Sequence, residues 1–89
     1  MEMALTRAEF LRLLPVAVGG AAYRVEGDEI GSLAGSPAWR IRLRERAPRA
    51  FGPVAIPVLA VTLEVEAADE AAARAFVSRF LLGYQRAGG

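Results

Sequence analysis

Hydrophobic residues recur at helical spacing in two segments, one near each end of the chain. The first segment follows Thr6 and includes Phe10 and Leu14. Thr6 and Glu9 have the spacing of a capping box, in which each side chain accepts a hydrogen bond from the backbone amide of the other residue. Pro15 lacks a donor and disfavours helical backbone at the residue before it. The pattern therefore predicts a helix that begins after Thr6 and ends or kinks near Leu14.

The second helical segment is predicted near the end of the sequence, beginning at Ala68 or Asp69. Glu70 falls in its first turn, where the helix dipole favours an acidic side chain. An unbroken apolar stripe follows at helical spacing, formed by Ala73, Phe76, Val77, Phe80, Leu81 and Tyr84. We expect this helix to end at Gly83 or at the closing Gly88-Gly89.

Between the two helices, apolar and polar residues alternate with the period of a half-buried strand. The alternation predicts strands over residues 22–26, 39–44 and 56–66. Residues 31–37 are rich in glycine and serine, and residues 47–53 contain two prolines, so both segments are predicted to be loops.

The order helix, strand, strand, strand, helix predicts the fold class. We expect an α+β two-layer sandwich with a three-stranded antiparallel meander and both helices on one face of the sheet. A chain of 89 residues is close to the smallest size that holds its own core, so residues 1–89 are expected to form one domain. The predicted core is Phe10, Leu14, Tyr23, Val25, Trp39, Ile41, Leu43, Val61, Leu63, Val65, Phe76, Val77 and Phe80.

The amino-acid composition limits the kinds of chemistry that the protein can perform. The sequence contains no His, Cys, Lys or Asn, which removes most nucleophilic, general-base, Schiff-base and soft-metal chemistry. We therefore predict that the protein is not an enzyme and uses no metal or other cofactor. A composition rich in Arg and Ala and free of Lys is typical of a GC-rich bacterial genome.

No membrane partner is predicted. The longest apolar stretches fall short of the ~20 residues that cross a bilayer. Glu2 and Glu9 occupy the region where a signal peptide carries positive charge. The expected location is therefore the cytoplasm.

One stretch is apolar on both faces of its predicted strand. Its even-numbered residues point away from the helices and form a strip: Val54, Ile56, Val58 and Ala60. Such a strip predicts contact with a second copy of the chain or with another protein. The net charge of +1 is too small to keep copies apart, and a free edge on this strand can pair with the same edge of another copy. The leading hypothesis is therefore a homodimeric interaction or accessory domain.

A row of arginines, Arg40, Arg42 and Arg44, points to one face of the middle strand. Guanidinium groups match phosphate oxygens, so weak nucleic-acid binding is an alternative function. Glu64 and Glu66 have the parity to pair with this row across neighbouring strands. A near-neutral chain also has no long-range attraction to nucleic acid. We therefore predict ion pairing in the row and no nucleic-acid partner.

The element order resembles that of double-stranded RNA-binding domains. Those domains place a Lys-rich turn at the start of the final helix, against the phosphates of the major groove. The corresponding position here reads Ala68-Asp69-Glu70, which repels phosphate. The resemblance therefore implies the order of elements and no RNA site.

The closing Gly88-Gly89 resembles the tail of ubiquitin-like sulfur-carrier and modifier proteins. In those families a slim, flexible diglycine tail threads an activating enzyme, and its carboxylate is activated by adenylation. The resemblance implies a second alternative, a small carrier acting through Gly88 and Gly89. A strand precedes the tail in those families, whereas a helix is predicted here, so we favour a helix end and chain terminus.

Overall fold

The computed structural model of the chain describes residues 1–35 and 37–87. Within these residues, two helices and five strands follow one another as β1 (Glu2–Met3), α1 (Arg7–Ala17), β2 (Tyr23–Glu26), β3 (Glu29–Ser32), β4 (Ala38–Phe51), β5 (Val54–Glu66) and α2 (Glu70–Ala87). The strands form one antiparallel sheet in the spatial order β1-β5-β4-β3-β2. The α+β class is therefore confirmed, whereas the three-stranded meander is wrong, because the sheet has two further strands.

The two additional strands are short and depend on their neighbours. β3 lies partly in the segment predicted to be a loop, and its Ile30 is the register partner of Ile41 in β4. β1 contains only two residues, which pair with Leu59 and Ala60 of β5. β1 is too short to show a strand period, and Gly31 and Ser32 of β3 fall in the glycine- and serine-rich segment. The conformation of both strands therefore follows from pairing to long strands.

The segment predicted to connect the second and third strands is instead the end of a long hairpin. β4 continues through a register shift between Arg46 and Arg49 and ends at Phe51. Gly52, with a φ of 57°, then begins the tight turn into β5. This left-handed backbone favours glycine. The molecule measures 46 Å along its longest axis and 25 Å along the next. Residues 45–58 form the exposed end of this hairpin and are called the arm below.

Both helices contribute to one core with the odd-numbered residues of β4 and β5. The buried residues are Phe10, Leu14, Ala17, Val18, Ile30, Trp39, Ile41, Leu43, Leu59, Val61, Phe76, Phe80 and Tyr84. Most of the predicted core is confirmed. The exception is Val25, which is 42% exposed because β2 lies at the sheet edge. Four more are only half-buried: Tyr23, Leu63, Val65 and Val77.

The capping box at the start of α1 is confirmed, and the helix does not end at Leu14, which was one of the two outcomes predicted there. The Glu9 amide donates to the Thr6 hydroxyl at 3.1 Å, and the Thr6 amide donates to the Glu9 carboxylate at 3.0 Å. The helix passes through Pro15 and ends at Ala17. Ala17 is buried in the core, so packing holds the last turn although proline weakens it.

Gly83 does not end the second helix, since α2 continues to Ala87. A Cβ atom at Gly83 would lie 2.8 Å from the Cα atom of Ala17. The two helices therefore approach closely at this glycine, and the missing side chain allows their contact.

Candidate interaction surface

The face of the sheet opposite the helices is open to solvent and carries the arginine row. In the register of β4 and β5, Arg40 lies opposite Glu64, and Arg42 lies opposite Thr62. Arg44 lies opposite Ala60, and all three arginines are exposed. Residues opposite one another in a sheet point to the same face. The predicted parity of arginines and glutamates is therefore confirmed.

The ion pair of the arginine row involves a different acid from the predicted one. Arg42 donates to Glu29 of β3 at 3.2 Å. Among the described residues, no ion pair within 4.0 Å joins the row to Glu64 or Glu66. Glu29 belongs to a strand that the alternation did not reveal, so its proximity followed only from the register. Exposed pairs of this kind contribute about 0–1 kcal/mol.

The predicted apolar strip lies on the same open face, along the arm. Val54 is 55% exposed, whereas Ile56, Val58 and Ala60 are half-buried. Phe51, directly opposite Val54 at the tip of the hairpin, is 61% exposed. The part of the strip that lies in the arm forms, with its cross-strand neighbours, a surface called the arm face: Arg46, Arg49, Phe51, Val54, Ile56 and Val58.

Phe51 was missed because residues 47–53 were predicted to be a loop, whereas residues 47–51 belong to β4 and include a bulge. Before the shift, even-numbered residues of β4 point to the open face; after it, odd-numbered residues do. An extra residue in one strand produces this change of parity. The available signal was Pro48, since proline inside a strand is confined to edges and bulges.

The sequence predicted that one edge of the third strand is free, but part of this edge of β5 is paired. Met1 exchanges two hydrogen bonds with Val61, its nitrogen donating at 2.9 Å and its carbonyl accepting at 2.7 Å. Met3 is the register partner of Leu59. Pro57 follows the same alternation toward this edge and has no amide hydrogen to offer another strand. The prediction of a free third-strand edge is therefore wrong along residues 59–61, and the arm offers its face rather than a continuous edge.

An ion pair crosses β5 on the open side. Arg49 of β4 donates to Glu2 of β1 at 3.1 Å, and these strands lie on opposite sides of β5. The arginine stem must therefore pass over the apolar strip, because the guanidinium joins the flanking strands. Long arginine stems cover apolar surface in this way while keeping the charge in water.

At the far end of the open face, small residues leave a shallow hollow. It is lined by Gly31, Ser32, Ala38, Trp39, Arg40, Glu64 and Glu66. Gly31 lies between Arg24 and Arg40 in the register of the sheet. A Cβ atom at Gly31 would meet no other atom within 4 Å. The hollow is therefore open space bordered by charged side chains of both signs.

The groups with shifted pKa values lie in the helix layer. Burial raises the pKa of Tyr84, and the neighbouring Tyr23 adds to the effect. Hydrogen bonds from the backbone and the hydroxyl of Thr6 lower the pKa of Glu9. The pKa shift of Tyr84 therefore follows from its place in the core, and that of Glu9 from the capping box of α1.

The remaining expectations concern membrane, metal and nucleic-acid sites. Neither described helix is long and apolar enough to cross a membrane. Across residues 1–35 and 37–87, no group of three or more acidic side chains is placed to hold a metal ion. At the position of the RNA-binding turn, the Asp69 carboxylate accepts from the Ala72 amide at 2.8 Å and so caps α2. Gly88 and Gly89 lie outside the described residues.

Comparison of the chain with protein-family models, with curated proteins and with solved structures returns no match. The candidate function therefore depends on the surface itself. Its two distinctive parts are the arm face, which is apolar at its tip and flanked by arginines, and the hollow at the opposite end of the same face.

Proposed function

We propose that this chain is a non-catalytic interaction or accessory domain that self-associates as a homodimer through the arm face. The observation that carries the proposal is the pair Phe51 and Val54, which are opposite one another and 61% and 55% exposed. Two large apolar side chains side by side at the end of a hairpin contribute nothing to the core. Neighbouring exposed apolar side chains of this kind are surface that a contact with another molecule would bury.

The exposed area of Phe51 and Val54 determines how much further contact a stable dimer needs. Together the two side chains expose on the order of 200 Å², which corresponds to about 5 kcal/mol at ~25 cal/mol per Å². Association costs about 4–15 kcal/mol in lost motional freedom. The tip is therefore an anchor, and a stable dimer must also use the arginines and the half-buried residues of the arm face.

The structure supports the two alternative functions, nucleic-acid binding and a diglycine carrier, less well than it supports self-association. Arg42 is committed to Glu29, and Glu64 and Glu66 lie among the same rows, so the arginine row is not a uniformly basic surface. The carrier alternative requires a slim tail after a strand, whereas α2 extends to Ala87, next to Gly88 in the sequence. The apolar arm face has no role in either alternative.

Sedimentation equilibrium tests the proposal on the full chain. The wild-type protein is expected to change from monomer to dimer as its concentration rises from micromolar to hundreds of micromolar. Val54→Glu places a charge in the exposed tip, so it is expected to weaken the dimer by about tenfold or more while the melting temperature stays unchanged.

The matched control is Val16→Glu on α1, where the valine is 74% exposed and lies on the opposite layer. This variant is expected to dimerise like the wild type. A wild-type protein that remains monomeric at hundreds of micromolar contradicts self-association. Equal weakening by both substitutions contradicts the assignment to the arm face.

A further inference from the structure

We infer that Pro48 and Pro57 close the two edges of the arm to strand addition, so that other copies of the chain cannot extend its sheet. The prolines act on the edges, and this role is therefore independent of the dimer proposed for the arm face. Three observations support it: the direction of the backbone amides, the positions of the two prolines and the residues of the apolar run.

The arm is the part of the sheet in which neither edge has a neighbouring strand. Within the described residues, β1 covers the edge of β5 as far as Leu59. On the other side, β3 and its turn cover β4 as far as Leu43, whose amide donates to the Asp28 carbonyl at 2.8 Å. Beyond these points β4 and β5 pair only with each other. A hairpin with two open edges offers donors and acceptors to which another chain can add a strand.

The backbone of Pro57 faces the open edge of β5. Alternate residues of an antiparallel strand direct their backbone groups to opposite sides. Val61 directs its groups toward β1, where it exchanges two hydrogen bonds with Met1. The extra residue of the bulge lies in β4, so the alternation of β5 continues unbroken into the arm. Ala55 and Pro57 therefore face the edge, and at Pro57 the amide hydrogen that an added strand needs is missing.

The edge of β4 is interrupted in the same row. The register shift between Arg46 and Arg49 places residues 47 and 48 together opposite Pro57. Two residues against one disturb the even spacing of donors and acceptors along this strand. Pro48 is one of the two and has no amide hydrogen. The two prolines therefore interrupt both edges of the arm at the same distance from its tip.

The arm also contains the segment of the chain that most needs such protection. Residues 54–61 read Val-Ala-Ile-Pro-Val-Leu-Ala-Val, without a charged or polar side chain. Segments of about six or seven residues with high β-propensity, low net charge and no proline stack into intermolecular sheets. Pro57 divides this run, and β1 covers part of the piece that follows it. The proline thus lies where an open edge and an apolar run coincide.

This arrangement separates two kinds of self-association. Side chains of the arm face point away from the sheet plane, so the prolines leave that surface available. A two-fold contact through a face is complete after two copies. Edge pairing continues, because every added copy brings a further open edge. The prolines therefore limit assembly of the chain to contacts that close.

The variant Pro48→Ala with Pro57→Ala restores both amides and tests the inference. Sedimentation velocity at hundreds of micromolar is expected to show a weight-average mass about twofold or more above that of the wild type, since the opened edges pair with other copies. Infrared spectroscopy of the amide I band is expected to show additional intermolecular β-sheet. Each single substitution opens one edge and is expected to give a smaller increase in mass.

The matched control is Pro53→Ala, which removes a proline from the turn at the tip of the same hairpin. The amide that it restores lies between the two strands of the arm and extends neither edge. This variant is expected to keep the wild-type mass. Circular dichroism and thermal melting verify that every variant is folded.

Hydrogen exchange of the wild-type protein supplies a second test that needs no substitution. Ala55 faces the open edge of β5, and Ala50 lies opposite it and faces the edge of β4. Their amides are expected to exchange at least about tenfold faster than those of the neighbouring Arg49 and Ile56, which face the partner strand. In the larger species formed by the double variant, the amides of both alanines are expected to become protected.

Four outcomes decide between the possibilities. A folded double variant with wild-type mass overturns the role of the prolines. Equal growth in Pro53→Ala also overturns it, because proline content rather than edge position is then decisive. Protected amides at Ala50 and Ala55 in the wild type show that the edges pair in spite of the prolines. A wild-type monomer overturns the proposed dimer alone, and the mass of the double variant against that monomer still decides the role of the prolines.

Discussion

The Tyr84 hydroxyl of α2 donates a hydrogen bond of 2.9 Å to the backbone carbonyl of Phe10 in α1. The rings of the same two residues stack, with centroids 4.8 Å apart and planes at 10°. One residue of each helix therefore supplies both an apolar and a polar contact. The pair lies in the buried core and joins segments that are 74 residues apart in the chain.

Tyr84→Phe tests the polar half of this contact. The substitution keeps the stacked ring and removes a buried hydrogen bond, so unfolding free energy is expected to fall by about 1 kcal/mol. A loss of that size lowers the melting temperature of a small domain by about 4–8 °C. Tyr23→Phe is the control, because the described part of the chain records no hydrogen bond from the Tyr23 hydroxyl. An equal loss in both variants contradicts a specific role for the Tyr84 bond.

The same tyrosine predicts loss of stability at high pH. Its pKa is raised above the ordinary value of 10.0, chiefly by burial. The neutral form is favoured by folding, so the stabilisation is complete below about pH 10 and declines as pH rises above it. Urea unfolding from pH 9 to 11 is expected to show a decline that is smaller in Tyr84→Phe. Identical slopes in the two proteins contradict the burial of an ionisable hydroxyl.

Gly83→Ala tests the helix crossing. Alanine favours a helix by about 1 kcal/mol relative to glycine, yet its Cβ atom would lie 2.8 Å from the Ala17 Cα atom. Overpacking against backbone costs about 1–3 kcal/mol, so the net effect is expected to be a lower melting temperature. Ser78→Ala, at an exposed position of the same helix, is the control. A stabilised Gly83→Ala protein shows that the helices can separate at no cost.

The capping box of α1 predicts loss of stability at low pH. Hydrogen bonds from Thr6 lower the pKa of Glu9 below its ordinary value of 4.5. A carboxylate favoured by folding stabilises the protein above the unfolded pKa, and this contribution declines as pH falls through the folded pKa. Glu9→Gln is expected to reduce the change in unfolding free energy between pH 6 and 3. The wild-type slope retained in Glu9→Gln excludes this carboxylate as its source.

The mixed charges of the open face predict no nucleic-acid binding. Titration with a labelled RNA duplex at low salt gives phosphate-driven binding its best conditions. The wild-type protein and Arg42→Ala are both expected to leave the RNA free at micromolar concentration. Micromolar binding that weakens steeply with salt and disappears in Arg42→Ala would falsify the ion-paired interpretation of the row.

Local signals in the sequence account for the elements that were predicted well. Thr6 and Glu9 specify the start of α1 because the capping bonds join residues three positions apart. The alternation from Trp39 to Arg44 and the stripe containing Phe76 and Phe80 each assign one face to the core, and those faces are buried. These features are periodic over a single element, so they need no knowledge of the rest of the fold.

Local signals of this kind predicted only part of the candidate interaction surface. The period of two placed Val54, Ile56 and Val58 on the open face, where the structure also has them. Phe51 was not assigned to a face, because it lies in the segment predicted to be a loop. Beyond the bulge in β4, it shares the open face with Val54. The hollow exists because pairing brings Gly31 beside Arg40, a relationship between strands that no single-segment pattern contains.

The sequence by itself determined the helix start, the strands with strict alternation and the residues that form most of the core. The tertiary structure decided the pairing of β1 and β3, the continuation of α1 through Pro15 and the close approach at Gly83. The physical reason is the range of the forces concerned. Capping and hydrophobic period act within a few residues, whereas register, helix crossing and the cover on a strand edge depend on chain segments that meet only in the folded protein.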